Sequence, residues 1–181
     1  MTSPPPASAG QVLIRPLTTP EVATALEIVN DAATAAYKGV IPDDCWQEPY
    51  MPRAEILAEI AAGVNFWAYK AAGSLLGVMG RQPLGEVTLI RHAYVRPAAQ
   101  QQGVGAQLLG HLLQGIDAPV LVGTWAAAWW AIRFYEKHGF RLVTPAEKDR
   151  LLRRYWTITD RQVETSVVLG DEKWFGSPLA R

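Results

Sequence analysis

The segment Tyr94-Val-Arg-Pro-Ala-Ala-Gln-Gln-Gln-Gly-Val-Gly-Ala-Gln-Leu-Leu109 runs an apolar strand into a glycine-rich turn, and the turn opens an amphipathic helix. The first amides of a helix have no intrahelical acceptor and carry the positive end of the helix dipole, so they bind anionic groups such as phosphate. Gly103 and Gly105 bring no Cβ, which lets the backbone turn freely and lets an anion approach its N–H groups directly. The segment therefore predicts a phosphorylated ligand.

Spacing separates the known phosphate-binding turns. A P-loop ends in Gly-Lys-Ser or Gly-Lys-Thr, where this chain has Gly105-Ala106-Gln107. A dinucleotide fingerprint needs a small residue where Leu108 stands and an acidic residue about twenty positions on, and neither is clearly present. What fits is Gln100-x-x-Gly103-x-Gly105 preceded by Val95-x-Pro97. A second stretch, Ala131-Ile-Arg-Phe-Tyr135-Glu-Lys-His-Gly139-Phe140, repeats Ala131, Phe134, Tyr135 and His138 at helical spacing, with Gly139 suited to a left-handed position after the last turn. With these two motifs in this order, the chain resembles the GNAT superfamily of acyl-CoA-dependent N-acetyltransferases over about residues 11 to 143.

The resemblance implies an α/β (α+β) fold of GNAT type. It is a twisted, mostly antiparallel mixed sheet of about seven strands flanked by four helices, here with an extra short helix before the last strand. It also implies acetyl-CoA as acyl donor, bound by Tyr94 and Val95 on the strand and by Gln100, Gln101, Gln102, Gly103, Val104, Gly105 and Ala106 in the turn. Tyr135 matches the tyrosine that lies near the coenzyme thiol and is proposed to protonate the departing thiolate. A backbone N–H near Tyr94 or Val95 would polarise the thioester carbonyl. Two positions depart from the family: Leu89 stands where some members carry a basic glutamate, and Ala128 where many carry an asparagine. An attacking amine must lose a proton at neutral pH, so another base is needed. Glu86 and His92 are the candidates, His92 because it alternates with Tyr94 along the strand. A satisfied structural histidine is the plainer alternative.

The remaining elements follow from periodicity. Gln11 to Leu17 predicts a strand, Pro20 to Ala36 a helix and Pro52 to Ala62 a second helix. Val64 to Ala71 and Leu75 to Arg81 predict a hairpin, with Glu86 to Val95 as the strand before the phosphate turn. Gly105 to Ile116, Pro119 to Thr124 and Trp125 to His138 read as helix, strand and helix. Tyr37 and Trp46, in the loop after the first helix, and Trp125 are the candidate acceptor-binding residues. Beside Asp43, Asp44 and Glu48 the aromatic rings could accept an ammonium or an aromatic amine through cation–π and charge contacts.

Beyond Val143, Thr144-Pro-Ala-Glu147 reads as a capping box that starts a basic helix over Lys148 to Trp156, and Arg161 to Leu169 alternates as the final strand. Such an insertion stands next to the acceptor pocket in this fold, or packs on another subunit. Arg150, Arg153 and Arg154 could meet an anionic group of the substrate, or form a solvated helix face. By family analogy a homodimer is expected, with Trp156 and Trp174 between protomers.

Composition narrows the class. The 181 residues, 49% hydrophobic, suit one domain over 11–181, and Thr2 to Gly10 reads as a disordered tail rather than a targeting peptide. With 17 basic and 17 acidic side chains there is no excess of charge for broad nucleic-acid binding. No run approaches ~18 apolar residues, so no membrane span is expected. The single cysteine, Cys45, favours a reducing cytoplasm, and three scattered histidines give no metal-ligand spacing. The function expected from all this is acetyl transfer from acetyl-CoA to a small-molecule primary amine in a ternary complex. Acetylation of a protein or peptide amine, and a non-catalytic acyl-CoA sensor, are the alternatives.

Overall fold

A computed structural model of the chain describes residues 12–180. The tail expected over Thr2 to Gly10 lies outside the described residues. The strands are β1 (Leu13–Pro16), β2 (Asn65–Ala71), β3 (Ser74–Pro83), β4 (Thr88–Val95), β5 (Val120–Trp125), β6 (Arg141–Leu142) and β7 (Ser166–Gly170). They form one sheet in the order β1-β2-β3-β4-β5-β7-β6. Every pairing is antiparallel except β4 with β5.

The helices are α1 (Val22–Tyr37), α2 (Arg53–Ala61), α3 (Val104–Leu112), α4 (Trp129–Lys137), α5 (Pro145–Tyr155), α6 (Asp160–Thr165) and α7 (Glu172–Gly176). On one face of the sheet, Val22, Ala25, Ile28 and Val29 of α1 pack with Ile56 of α2 on Phe66, Ala68 and Val78. On the other, Leu108, Leu109 and Leu112 of α3 pack on Tyr69, Met79 and Ile90. Phe66 and Ala68 alternate with Tyr69 as the pleat of β2 requires. A third cluster joins Leu151 and Leu152 of α5 and Trp174 of α7 to Leu89 and Leu121. No helix among the described residues is long and apolar enough to cross a membrane.

The final strand departs from the sequence expectation. Arg161 to Thr165 is helical, and β7 begins only at Ser166. The Thr159 hydroxyl accepts the Gln162 amide while Gln162 Oε1 accepts the Thr159 amide, a reciprocal cap that starts a helix despite the β-branched residues downstream. At α5 the Thr144 hydroxyl caps the Glu147 amide, but the Glu147 carboxylate turns inward and accepts the indole N–H of Trp174 at 2.8 Å. Trp174 is thus buried within its own chain, 1% exposed, and not between protomers.

Candidate functional site

The site begins where the sheet opens. β4 pairs with β5 only at Thr88, Leu89 and Ile90, and past that point β5 has no bridge to β4. On its other edge β4 carries a bulge: Gly80 faces Arg91 and Val78 faces Tyr94, so His92 and Ala93 both stand opposite Met79. His92 takes the turn with φ of 51°. Ile90 packs under α3, whereas His92 stacks on Phe66 and Tyr94 packs with the α1 cluster. The bulge therefore re-aims β4 and sends His92 and Tyr94 to the side of α1 and α2. A cavity of about 1290 Å³ fills the opening, from the head of α3 to the loop after α1.

At one end lies the glycine turn. Gly103 precedes α3 with φ of 82°, a left-handed conformation that glycine adopts without a Cβ penalty. Gln107 is the first amide of α3 with a main-chain acceptor, the Gly103 carbonyl at 2.9 Å; the amides of Gln101 through Ala106 make no backbone hydrogen bond among the described residues. Gln101, Gly103, Val104, Gly105 and Ala106 line the cavity. Gln100 also lines it and donates its side-chain N–H to the Val95 carbonyl, while Gln102 turns away to the Ala98 carbonyl. The Arg96 amide bonds back to Leu76 on β3, so by strand alternation the Val95 N–H points toward the gap left by β5.

Midway, Tyr135 on α4 lines the cavity and is 6% exposed. Burial, with Tyr37 nearby, pushes its hydroxyl pKa well above that of free tyrosine, so it stays protonated. Tyr37 and Tyr94 are raised for the same first reason. The Trp125 indole N–H donates to the Tyr50 hydroxyl at 3.0 Å. Leu89 and Ala128, the two departures from the family pattern, are fully buried, Leu89 in the cluster under α5 and α7.

At the far end, aromatic rings meet carboxylates. Trp46 and Tyr50 stand 5.5 Å apart, and Tyr37 packs 5.8 Å from Tyr50. Of the loop carboxylates expected, Asp44 lines the cavity, whereas Asp43 and Glu48 do not and Glu48 pairs with Lys38; the other acidic partners come from elsewhere. They are Glu55 and Glu59 from α2. Glu59 pairs with Arg91 at 2.7 Å and has its Oε2 3.5 Å from His92 Nε2. Burial raises the Glu59 pKa, but His92 and Arg91 outweigh it and the net direction is down. His92 Nε2 and the Trp46 indole N–H are buried without a hydrogen-bond partner among the described residues. In the sequence, Ile56, Leu57 and Ile60 show the helical period of α2, and the signal for its working face is the i,i+4 spacing of Glu55 and Glu59.

The insertion walls this end. Trp156 lies on β5, where a Cβ on Gly123 would meet its ring at 3.2 Å, and Trp156, Ile158 and Gln162 line the cavity. Arg161 pairs with Asp44 at 2.9 Å, and the Ala126 amide donates to the Thr165 carbonyl at 2.8 Å, which ties α6 to the loop after α1 and to the end of β5. Trp156 thus faces the cavity of its own chain.

Glu86 is elsewhere. It sits in the turn before β4, accepts the Tyr155 hydroxyl and pairs with Arg154, outside the residues lining the cavity. Arg150 donates to the Leu179 carbonyl and Arg153 pairs with Asp160, so none of the three insertion arginines reaches the cavity. No group of metal-binding side chains occurs among the described residues.

The cavity and sheet have parallels. Residues 62–142 match a family model described as an acetyltransferase (GNAT) domain. The PaiA N-acetyltransferase of Thermoplasma acidophilum, solved with coenzyme A, is similar with a TM-score of 0.67 and 17% identity, over 89% of this chain and 98% of that one. A GNAT-family acetyltransferase of Staphylococcus aureus Mu50 gives 0.67 and 17% over 90% and 99%. The ribosomal-protein-S18-alanine N-acetyltransferase of Escherichia coli gives 0.61 and 18% over 89% and 93%. At these identities the likeness is one of fold. No curated protein sequence matches the chain.

Proposed function

We propose that this chain, which carries a GNAT acetyltransferase domain, transfers an acetyl group from acetyl-CoA to a primary amine of a small molecule while both substrates are bound. The observation that carries the reading is the convergence on one cavity of the unpaired amides from Gln101 to Ala106 and the Tyr135 side chain. Those amides offer a diphosphate several donors at a helix N-terminus, which is what the donor substrate needs. Coenzyme A bound to the PaiA N-acetyltransferase supports the same donor.

The chemistry follows from what each group can give. The amine nitrogen attacks the thioester carbonyl carbon, and the Val95 N–H faces the gap where the carbonyl oxygen takes up charge. His92, which lines the cavity with Glu59 3.5 Å from its Nε2, takes the proton that the amine loses. The C–S bond breaks and Tyr135 gives its proton to sulfur. A tyrosine held protonated by burial is a weak acid, but the same dry surroundings raise the proton affinity of a thiolate beside it. Solvent then takes the proton from His92 and returns one to Tyr135, so that overall one proton moves from nitrogen to sulfur. The small-molecule acceptor is supported by the wall that Trp156, Ile158 and Gln162 build across the acceptor end.

The test is to incubate the purified chain with acetyl-CoA and a panel of amines and to follow free thiol. Thiol release that depends on a small amine is expected. Coenzyme binding with no turnover on any small amine would overturn the reading.

A further inference from the structure

Three carboxylates line the acceptor end, and two are already balanced: Asp44 by Arg161 at 2.9 Å and Glu59 by Arg91 at 2.7 Å. Arg91 is fully engaged, since its other contact is to Gln82 Oε1 at 3.1 Å. Glu55 has no ion pair among the described residues and accepts only the neutral Gln47 amide, at 3.3 Å. It is half-buried, and burial raises its pKa, as expected of a charge short of compensation. His92, Glu59, Arg91 and Tyr50 line the same cavity. Gln47 ties Glu55 to the Tyr50 carbonyl, and Tyr50 stands against Trp46. A carboxylate without an ion-pair partner, in a cavity that the Trp46 and Tyr50 rings also line, is a cation site. The Trp46 ring already shows that preference, with the Lys38 ammonium 5.9 Å from its centre.

The nitrogen that attacks the thioester cannot hold this site through the reaction, because it attacks as a free amine and ends as a neutral amide, which leaves Glu55 without a paired cation in the product. Building on the acetyl-transfer reading, we infer that the acceptor carries a second group that stays cationic through the reaction, held by Glu55 and the Trp46–Tyr50 wall. The substrate class is a diamine, or an amine that also bears a guanidinium or quaternary ammonium group.

A probe that cannot be acetylated separates this site from catalysis. Benzyltrimethylammonium is titrated into the full chain saturated with coenzyme A and followed by tryptophan fluorescence. Saturable quenching is expected, weakened about tenfold or more in Glu55→Gln, with coenzyme affinity unchanged. In kinetics, a linear diamine should exceed the monoamine of equal chain length by about tenfold in kcat/KM, and Glu55→Gln should erase the difference. Absence of quenching, quenching indifferent to Glu55→Gln, or an equal loss of kcat on both amines overturns the inference, the last because it makes Glu55 the proton acceptor. Quenching that depends on Glu55 without turnover of any amine upholds the cation site and removes acetyl transfer instead.

Discussion

His92 Nε2 lies 3.5 Å from Glu59 Oε2, across the groove between a bulged strand and α2. The bulge and the helix arrive from different parts of the chain, and their meeting sets a carboxylate beside the imidazole that lines the acceptor end. His92→Gln should lower kcat about 100-fold with coenzyme affinity unchanged, and Glu59→Gln should lower it about tenfold. Initial rates combined with calorimetry of coenzyme A check both. Equal rates in His92→Gln and wild type would leave the imidazole with a packing role on Phe66.

Tyr135→Phe removes one oxygen from a buried ring whose shape is kept. The fold should persist, and coenzyme affinity should change less than about twofold, because the diphosphate donors lie on α3. The expected loss is in kcat, about 100-fold. A normal kcat would show that water or substrate protonates the leaving sulfur.

Gly105 separates ligand binding from folding. The nearest atoms a Cβ there would meet are those of Phe134 at 3.6 Å and Val95 at 3.8 Å, which is ordinary contact, and Gly105 lines the cavity among the unpaired amides. Gly105→Ala should leave the melting temperature unchanged and weaken coenzyme A about tenfold in calorimetry. Gly103→Val should do both kinds of damage, since its φ of 82° disfavours a β-branched residue by roughly 1–2 kcal/mol.

What could be read from sequence were the features that the chain writes locally. The glycine turn and the Tyr135 helix carry their own spacing and both are present, although α4 begins at Trp129 and Trp125, expected at its start, ends β5 instead. What could not be read depends on register between distant strands. Nothing near His92 announces that Gly80 and Val78 will pair so as to leave two residues opposite Met79. Glu86 looked like a base by proximity in sequence, but Arg154 and Tyr155, almost seventy positions later, hold it outside. The misread stretch is different: Thr159 and Gln162 stand at capping-box spacing, and alternation in Arg161 to Leu169 outweighed a signal that was present.

The start of the fold carries a pH dependence whose sign follows from one clamp. Glu21 accepts two hydrogen bonds from Arg15, at 2.7 and 2.8 Å, one from the Thr18 hydroxyl at 2.8 Å, and pairs with Lys70 at 3.3 Å. The Arg15 hydrogen bonds lead in holding its carboxyl far below the usual range, with burial opposing. A carboxylate whose folded pKa is depressed binds fewer protons folded than unfolded at intermediate pH. Its contribution to stability is therefore complete above the unfolded value of about 4.3 and is lost as pH falls from there toward the folded value. Glu21→Gln should destabilise the chain at neutral pH, and the gap from wild type should shrink as pH is lowered from about 5 to 3. Urea melts at a series of pH values measure it. A gap that stays constant across that range would mean that packing at the start of α1, rather than the charge of Glu21, sets the effect.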